Sequence, residues 1–336
     1  IICDVSKQIK ITIAVALIVL SIPFCKRWFS TVEYYFSDER KQATSSLKYR
    51  LTGTKTVEVA GLERFWSGEV IIPEKTIYCG YLFTVTSIGR SAFSGCSGIT
   101  SVKIPSSVTR IEDGAFYGCS DIISIEIPAS VTEIGWYAFS GCRGLANVEI
   151  PSSVTEIGWR AFCGCSGLTS VEIPSSVTEI GEHAFEGCSG LTSVEIPSSV
   201  TRIGNYAFYG CSGLTSVEIP LSVKKIGCSA FKGCSSLTSI EIPSSVTEIG
   251  EEAFAGCSGL TSVEIPSSVR EIGSGAFSGC SRLTSVKIPS SVTEIRWKAF
   301  ENCHNLNIVI DNRENNVRVG YNAFYGCKSV TWKKDM

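Results

Sequence analysis

The sequence predicts a repeat solenoid: a right-handed stack of coils with one short parallel strand per 23-residue repeat, short helical turns on the other side and a β-hairpin N-terminal cap. Three observations predict it. Ten cysteines, Cys96, Cys119, Cys142, Cys165, Cys188, Cys211, Cys234, Cys257, Cys280 and Cys303, keep a strict period of 23, and Cys327 follows after 24. Nine of the eleven prolines, from Pro105 to Pro289, keep the same period. The residues between them are copied almost unchanged, as in L-T-S-V-E-I-P-S-S-V-T-E-I-G-E-H-A-F-E-G-C-S-G from Leu168 to Gly190.

A fixed period of roughly 20 to 29 residues with an L-x-x-V-x-I core marks a leucine-rich-repeat-like coil. One such unit cannot bury its own apolar face, whereas stacked units bury one another's. Leu168, Val171, Ile173, Val177, Ile180, Ala184, Phe185 and Cys188 are therefore expected to form continuous buried columns with their counterparts. The length of 336 residues, which would suggest about two globular domains, becomes a count of coils. Eleven coils at about 4.8 Å each give a rod or shallow arc about 50 Å long.

The elements follow in chain order. Residues 11–24 are nearly all apolar, between Lys7 and Lys10 on one side and Lys26 and Arg27 on the other. That core is short of the roughly 20 residues a membrane span needs, so residues 1–30 read as an export signal. No small-x-small cleavage site follows, which leaves an uncleaved signal anchor as the alternative and the only expected membrane contact. Residues 31–46 read as a linker and 47–95 as an N-terminal cap with the first repeat. Within it, Val70-Ile71-Ile72-Pro73 resembles a first strand, and Thr76 to Val85 around Cys79-Gly80 reads as a hairpin covering the open edge, with residues 47–69 expected to pair with it as part of the cap. Residues 96–303 are the regular repeats. Residues 304–336 form a last repeat and C-terminal cap, with Asp311 and Asn312 expected in place of the Ile-Pro pair.

Within a repeat, Val171 and Ile173 alternate with Glu172, so L-T-S-V-E-I is expected to be a strand that sends Glu172 to the opposite face. Pro174 ends it, because proline has no N–H for the ladder. V-T-E-I is too short to assign. A-F-x-G-C is expected to be one helical turn followed by a left-handed glycine, since the exception in that column is Asn302, and Asn tolerates positive φ best. The glycine after V-T-E-I is replaced by Glu112 and Arg296, which points to a need for space and not for positive φ.

Composition narrows function. A net charge of −2 removes the electrostatic basis for nucleic-acid binding. Two histidines, His183 and His304, lie about five coils or 24 Å apart, and neither has a Ser, Cys or carboxylate at the spacing of a catalytic or metal motif. No G-x-G-x-x-G, P-loop or H-E-x-x-H occurs, so neither catalysis nor a cofactor is expected. The cysteine column reads as buried thiols, because parallel side chains one coil apart lie too far apart for disulfides. One Cys per coil in a line cannot build a tetrahedral zinc site, and no metal is expected. Cys3, Cys25, Cys79, Cys163 and Cys228 stand outside the column.

Two surfaces are candidates for binding. Glu126, Glu149, Glu172, Glu195, Glu218, Glu241 and Glu264 occupy one outward strand position, bounded by Lys103 and Lys287. They form either an acidic field for basic segments or divalent cations, or a solvated face copied by duplication. The two residues before Ala-Phe vary while all else repeats: Trp136-Tyr137, Trp159-Arg160, Glu182-His183, Asn205-Tyr206, Cys228-Ser229, Glu251-Glu252, Ser274-Gly275 and Trp297-Lys298. With Tyr117 and Tyr209 after Phe, these aromatics form either an interface patch, also suited to stacking on sugars, or a cover for the core edge.

The recurrent I-P-S-S-V-T-E-I-G-x-x-A-F-x-G-C units, with S-G-E-V-I-I-P and F-T-V-T-S-I-G-R-S-A-F in the leader, resemble the BspA-like leucine-rich repeat family of Bacteroidales and some mucosal protozoa. The leader is nearer to the bacterial members. The resemblance implies a non-catalytic protein on the cell surface or secreted, adhering to host extracellular matrix or microbial surface proteins. A purely structural spacer is the alternative.

Overall fold

The computed structural model describes residues 47–62, 66–78 and 80–333. The expected export signal, the linker, Cys3, Cys25 and Cys79 lie outside the described residues. Among the described residues no helix is long and apolar enough to cross a membrane.

Each repeat contributes two parallel strands, not the one expected. The first, such as Ser170–Glu172, buries its central Val and exposes Ser and Glu on either side. The second is the unassigned V-T-E-I, where Glu179–Ile180 buries Ile180. Both pair in register with the same residues one coil on, Val171 with Val194 and Ile180 with Ile203. Pro174 opens the turn between them, whose carbonyl accepts from Val177 N–H.

The A-F-x-G-C segment is a series of tight turns and not the expected helical turn. Ala184, Glu186 and Cys188 donate to carbonyls three residues back, while the alternate donors His183, Phe185 and Gly187 bond Asn205, Ala207 and Tyr209 of the next coil. An α-helix needs every N–H for its own carbonyl four residues back. Here the neighbouring coil takes half of them. The one helical element among the described residues is a 3₁₀ turn at Glu314–Asn316.

The expected columns form the core. Leu168, Val171, Ile173, Val177, Ile180, Ala184, Phe185 and Cys188 are all buried. Phenylalanines stack nearly parallel from Phe93 and Phe116, 5.0 Å apart, through Phe185 and Phe208 at 5.4 Å to Phe277 and Phe300 at 5.3 Å. The column cysteines are free thiols, and from Cys119 onward each hydrogen-bonds the Phe carbonyl of the preceding coil, Cys188 to Phe162 at 3.2 Å and Cys211 to Phe185 at 3.2 Å.

Five strands build the N-terminal end: β1 (Leu47–Leu51), β2 (Thr56–Leu62), β3 (Gly68–Ile71), β4 (Lys75–Tyr78) and β5 (Tyr81–Ile88). Regular coils begin with β6 (Ile99–Lys103), β7 (Arg110–Ile111), β8 (Ser124–Glu126) and β9 (Glu133–Ile134). One sheet runs β3-β6-β8, which bears out Val70-Ile71 as a first strand. The other runs β1-β2-β5-β7-β9, with β4 attached to β5 alone. The hairpin of β4 and β5 is present, but it does not cover the open edge. β5 is itself a sheet member, and β2 with β1 cover the edge that β5 would expose.

Beyond β8 and β9 the two ladders resume at Asn147–Glu149 and Glu156–Ile157 and run unbroken to Ser329–Trp332 and Arg318–Val319. No strand pairing joins β8 to Asn147–Glu149 or β9 to Glu156–Ile157. At the C-terminus Ile310 pairs with Ile288, so the Ile is kept and Asp311 alone takes the proline position. Asn312 stands one place later, where its Nδ2 donates to Ser290 O at 3.1 Å.

Asn302 has φ 62° in the left-handed glycine column, as expected. The other column needs space: a Cβ on Gly204 would come within 2.7 Å of Glu182 N in the coil below. A further left-handed position, not expected, is the second residue of the variable pair. Tyr137, Arg160, His183, Tyr206, Ser229, Glu252 and Lys298 all have φ between 52° and 58°.

Candidate functional site

The variable pair lies just past the second strand, and its left-handed second residue donates its N–H to the next coil, as Tyr137 does to Trp159 O at 3.0 Å. The backbone thus presents one pair of side chains per coil along one side of the rod. Among these side chains the aromatic residues of successive coils touch. Tyr117 meets Tyr137 edge to face at 6.2 Å, and Tyr137 meets Trp159 at 4.9 Å. Trp136 meets Trp159 at 6.2 Å and 84°. Trp159 then contacts His183 at 6.3 Å, His183 stacks flat on Tyr206 at 4.6 Å, and Tyr206 leans on Tyr209 at 5.8 Å.

All six aromatic candidates are therefore brought into one ladder spanning five coils. Tyr137 and Tyr209 are half-buried, whereas Tyr117 is 50%, Trp136 58%, Trp159 37% and Tyr206 36% exposed. Each of these four rings leaves a third or more of its surface to solvent.

Five residues hold the ladder in place, of which sequence reasoning did not single out Glu186 and Asp113. His183 Nδ1 lies 2.7 Å from Glu186 Oε2, so it carries a proton and donates to the carboxylate. That leaves it no lone pair for Arg160, whose Nη2 is instead 3.5 Å from Glu186 Oε2. The Arg160 guanidinium lies over Trp159 at 5.4 Å and Tyr137 at 6.0 Å, a cation–π pairing that fixes both rings. Cys163 Sγ donates to the same Glu186 oxygen at 3.7 Å. Burial, then the Glu186 charge, pushes the Cys163 thiol up. Asp113 Oδ1 accepts Trp136 N–H at 2.9 Å. His183 and Arg160 sat in the variable pairs; Asp113 would have emerged had those pairs been followed one coil further toward the N-terminus. His304 is remote from the ladder and contacts Gly326 O at 3.2 Å.

The acidic stripe lies on the other sheet. Glu149, Glu172, Glu195, Glu218, Glu241 and Glu264 pair in register, strand by strand, and Glu126 pairs with Lys103. All seven are exposed, and among the described residues none makes a salt bridge. The second strands carry an outward column of the opposite kind. There Arg110–Glu133 at 3.2 Å, Arg202–Glu179 at 2.5 Å and Lys225–Glu248 at 2.8 Å pair across neighbouring coils, and Arg296, just past the strand Glu294–Ile295, pairs with Glu271 at 2.5 Å. The stripe and the ladder are thus two separate surfaces. No group of three or more His, Cys, Asp or Glu able to hold a metal occurs among the described residues.

Two parallel strands per repeat, stacked on Phe and Cys columns, define a leucine-rich-repeat solenoid. The chain belongs to the BspA-type leucine-rich repeat family, whose model matches residues 86–215 and 201–331. It is similar in structure to a leucine-rich repeat protein from Bacteroides ovatus, at 28% identity and a TM-score of 0.50 over 90% of this chain and 100% of that one. A leucine-rich cell surface protein from Faecalibacterium prausnitzii is also 28% identical, with a TM-score of 0.41 over 86% of this chain and 98% of that one. The pneumococcal vaccine antigen PcpA shares the fold at 18% identity, a TM-score of 0.50, 86% of this chain and 97% of its own. Among curated proteins none matches the sequence.

Proposed function

We propose that this solenoid is a non-catalytic binding protein, exported to the cell surface or beyond, that attaches to host matrix or microbial surface proteins. The observation that carries the reading is the aromatic ladder from Tyr117 to Tyr209. Every other feature of the repeat is copied whether or not it is used, but these side chains differ from coil to coil and still pack into one exposed surface. Trp, Tyr and Arg supply most of the binding energy at protein interfaces, because each removes a large amphipathic surface from water at small entropic cost. Trp136, Trp159, Tyr206 and Arg160 are such residues, already held by neighbours. The stripe from Glu126 to Glu264 adds a field that draws basic segments toward the rod.

The test is attachment of the purified chain to matrix proteins and to bacterial cells. Trp136→Ala with Trp159→Ala is expected to weaken attachment by about tenfold or more. Reversing several stripe charges is expected to slow association and flatten its dependence on salt. Unchanged attachment in both variants would favour a spacer, a reading supported by the identity of the stripe from coil to coil. Turnover of any substrate by the purified chain would overturn the non-catalytic assignment.

A further inference from the structure

We infer that the hollow beside Trp136 binds a neutral saccharide chain, with the indole as stacking platform and Arg90, Asp113 and Glu156 as hydrogen-bonding groups. The inference rests on the reading above that the aromatic side of the rod is the adhesive side. Its starting point is the one joint where the ladders stop, between the coil of Trp136 and the coil of Trp159. At the joints that follow, a Thr hydroxyl reinforces the stack from coil to coil, Thr169 to Ala146 O at 3.0 Å and Thr192 to Thr169 O at 3.2 Å. Ala146 holds the donor position at the interrupted joint and has no hydroxyl to offer, so Ile123 O accepts there from the Ala146 backbone N–H alone, at 3.2 Å. The second strands face one another there without the pairing that links them elsewhere.

An open hollow of about 520 Å³ lies at this joint. Gly135, Gly158 and Trp136 line it, with Arg90, Asp113 and Glu156 among its polar groups. Its size is that of a small-molecule site. The platform is ordered before any ligand arrives: the Trp136 backbone N–H donates to Asp113 Oδ1 at 2.9 Å, Arg90 Nη2 donates to Asp113 Oδ2 at 2.7 Å, and the indole rests edge to face on Trp159. Prior ordering of this kind lowers the entropic cost of binding. Trp159 prolongs the aromatic surface by one coil, which favours an oligosaccharide over a single sugar.

Charge selects the class. Asp113 offsets Arg90, and Glu112 and Glu133 offset Arg110. Glu156 has no cationic partner within salt-bridge distance among the described residues. A phosphate, sulfate or uronate would therefore meet a surplus carboxylate. A neutral hexose presents apolar C–H groups to the indole face, and its hydroxyls find both donors on Arg90 and acceptors on Asp113 and Glu156. A lysine or arginine side chain over Trp136 would satisfy Glu156 but would leave the Arg90 donors and most of the hollow unused.

Isothermal titration of the full chain with cellohexaose, maltohexaose and mannohexaose tests the inference, with an oligolysine peptide alongside. At least one hexaose is expected to bind. Trp136→Ala is expected to weaken it by about tenfold or more and Glu156→Gln by severalfold, both with an unchanged melting temperature because the two side chains are exposed. Binding of the peptide and of no hexaose would overturn the inference, as would hexaose binding that survives both substitutions. The two readings fail separately. Attachment to cells that depends on Trp136 without any hexaose binding sinks the saccharide alone, whereas hexaose binding with Trp136-independent attachment sinks the adhesive reading.

Discussion

Cys165 Sγ lies 3.1 Å from the backbone oxygen of Phe139 in the preceding coil and donates a hydrogen bond to it. Burial raises this thiol from its ordinary value of 9.0 to about 12, and it does the same for Cys211 and Cys257. In the unfolded chain these groups lose their protons near pH 9, whereas the folded chain keeps them to about pH 12. Between those limits the unfolded chain binds fewer protons, so stability falls as pH rises, by about 1.4 kcal/mol per pH unit for each such thiol. Below pH 9 the contribution is fully present. Urea midpoints are expected to be flat from pH 7.5 to 8.5 and to drop steeply above 9, and Cys165→Ala should lessen the slope. A midpoint that does not change up to pH 11 would contradict the account.

Phe185 stacks on Phe162 at 5.5 Å and on Phe208 at 5.4 Å, and it is fully buried. Phe185→Ala opens a cavity that both neighbouring coils share, at a cost of about 3–5 kcal/mol. Phe324 stacks on one side only, against Phe300 at 6.2 Å, and is half-buried. In a linear stack each coil contributes through its neighbours, so Phe324→Ala is expected to cost less than half as much. Urea unfolding of the two variants checks the ratio, and equal losses would count against nearest-neighbour stability.

What could be read in advance divides along physical lines. The Cys, Phe and Val columns were legible because burial acts alike on every copy, and period 2 alone placed Glu172 outward. The second strand at Glu179–Ile180 was not legible, since two residues carry no period and gain their strand character only from the coils on either side. The same cause turned the expected helical turn at Ala184-Phe185 into tight turns: the competing acceptor sits 23 residues away. Of the site, the variable aromatics were visible as departures from the repeat. Their supports, Glu186 beneath His183 and Asp113 beneath Trp136, depend on which coil meets which side chain.

Ser91 has φ 55°, at the position that Gly114 and Gly275 occupy in other coils with φ 60° and 61°. A side chain in this region costs about 1–2 kcal/mol, partly offset by the greater freedom glycine has when unfolded. Ser91 is exposed, so little packing is lost with it. Ser91→Gly is expected to raise stability by about 0.5–1 kcal/mol. Gly204→Ala should do the reverse despite an ordinary φ, because its new Cβ would meet Gly181 C at 2.8 Å and Ile180 O at 2.8 Å. Thermal melts of the pair distinguish a conformational from a spatial need for glycine, and a stabilising Gly204→Ala would refute the second.

Glu195 stands in register between Glu172 and Glu218, about one strand spacing of 4.8 Å from each, with no cation to separate them. Glu179, on the neighbouring sheet, is held by Arg202 at 2.5 Å. The same substitution should therefore act in opposite directions. Glu195→Gln removes two like-charge contacts and is expected to raise the urea midpoint at low salt by a few tenths of a kcal/mol, while Glu179→Gln removes an exposed ion pair and lowers it by about 0.2–1 kcal/mol. Both differences should fade toward 1 M salt, where the Debye length of about 3 Å is shorter than the charge separations. If Glu195→Gln instead destabilises the rod, the stripe is not repulsive and some compensating contact holds it. If it stabilises, the rod gives up stability along the stripe that its second sheet does not.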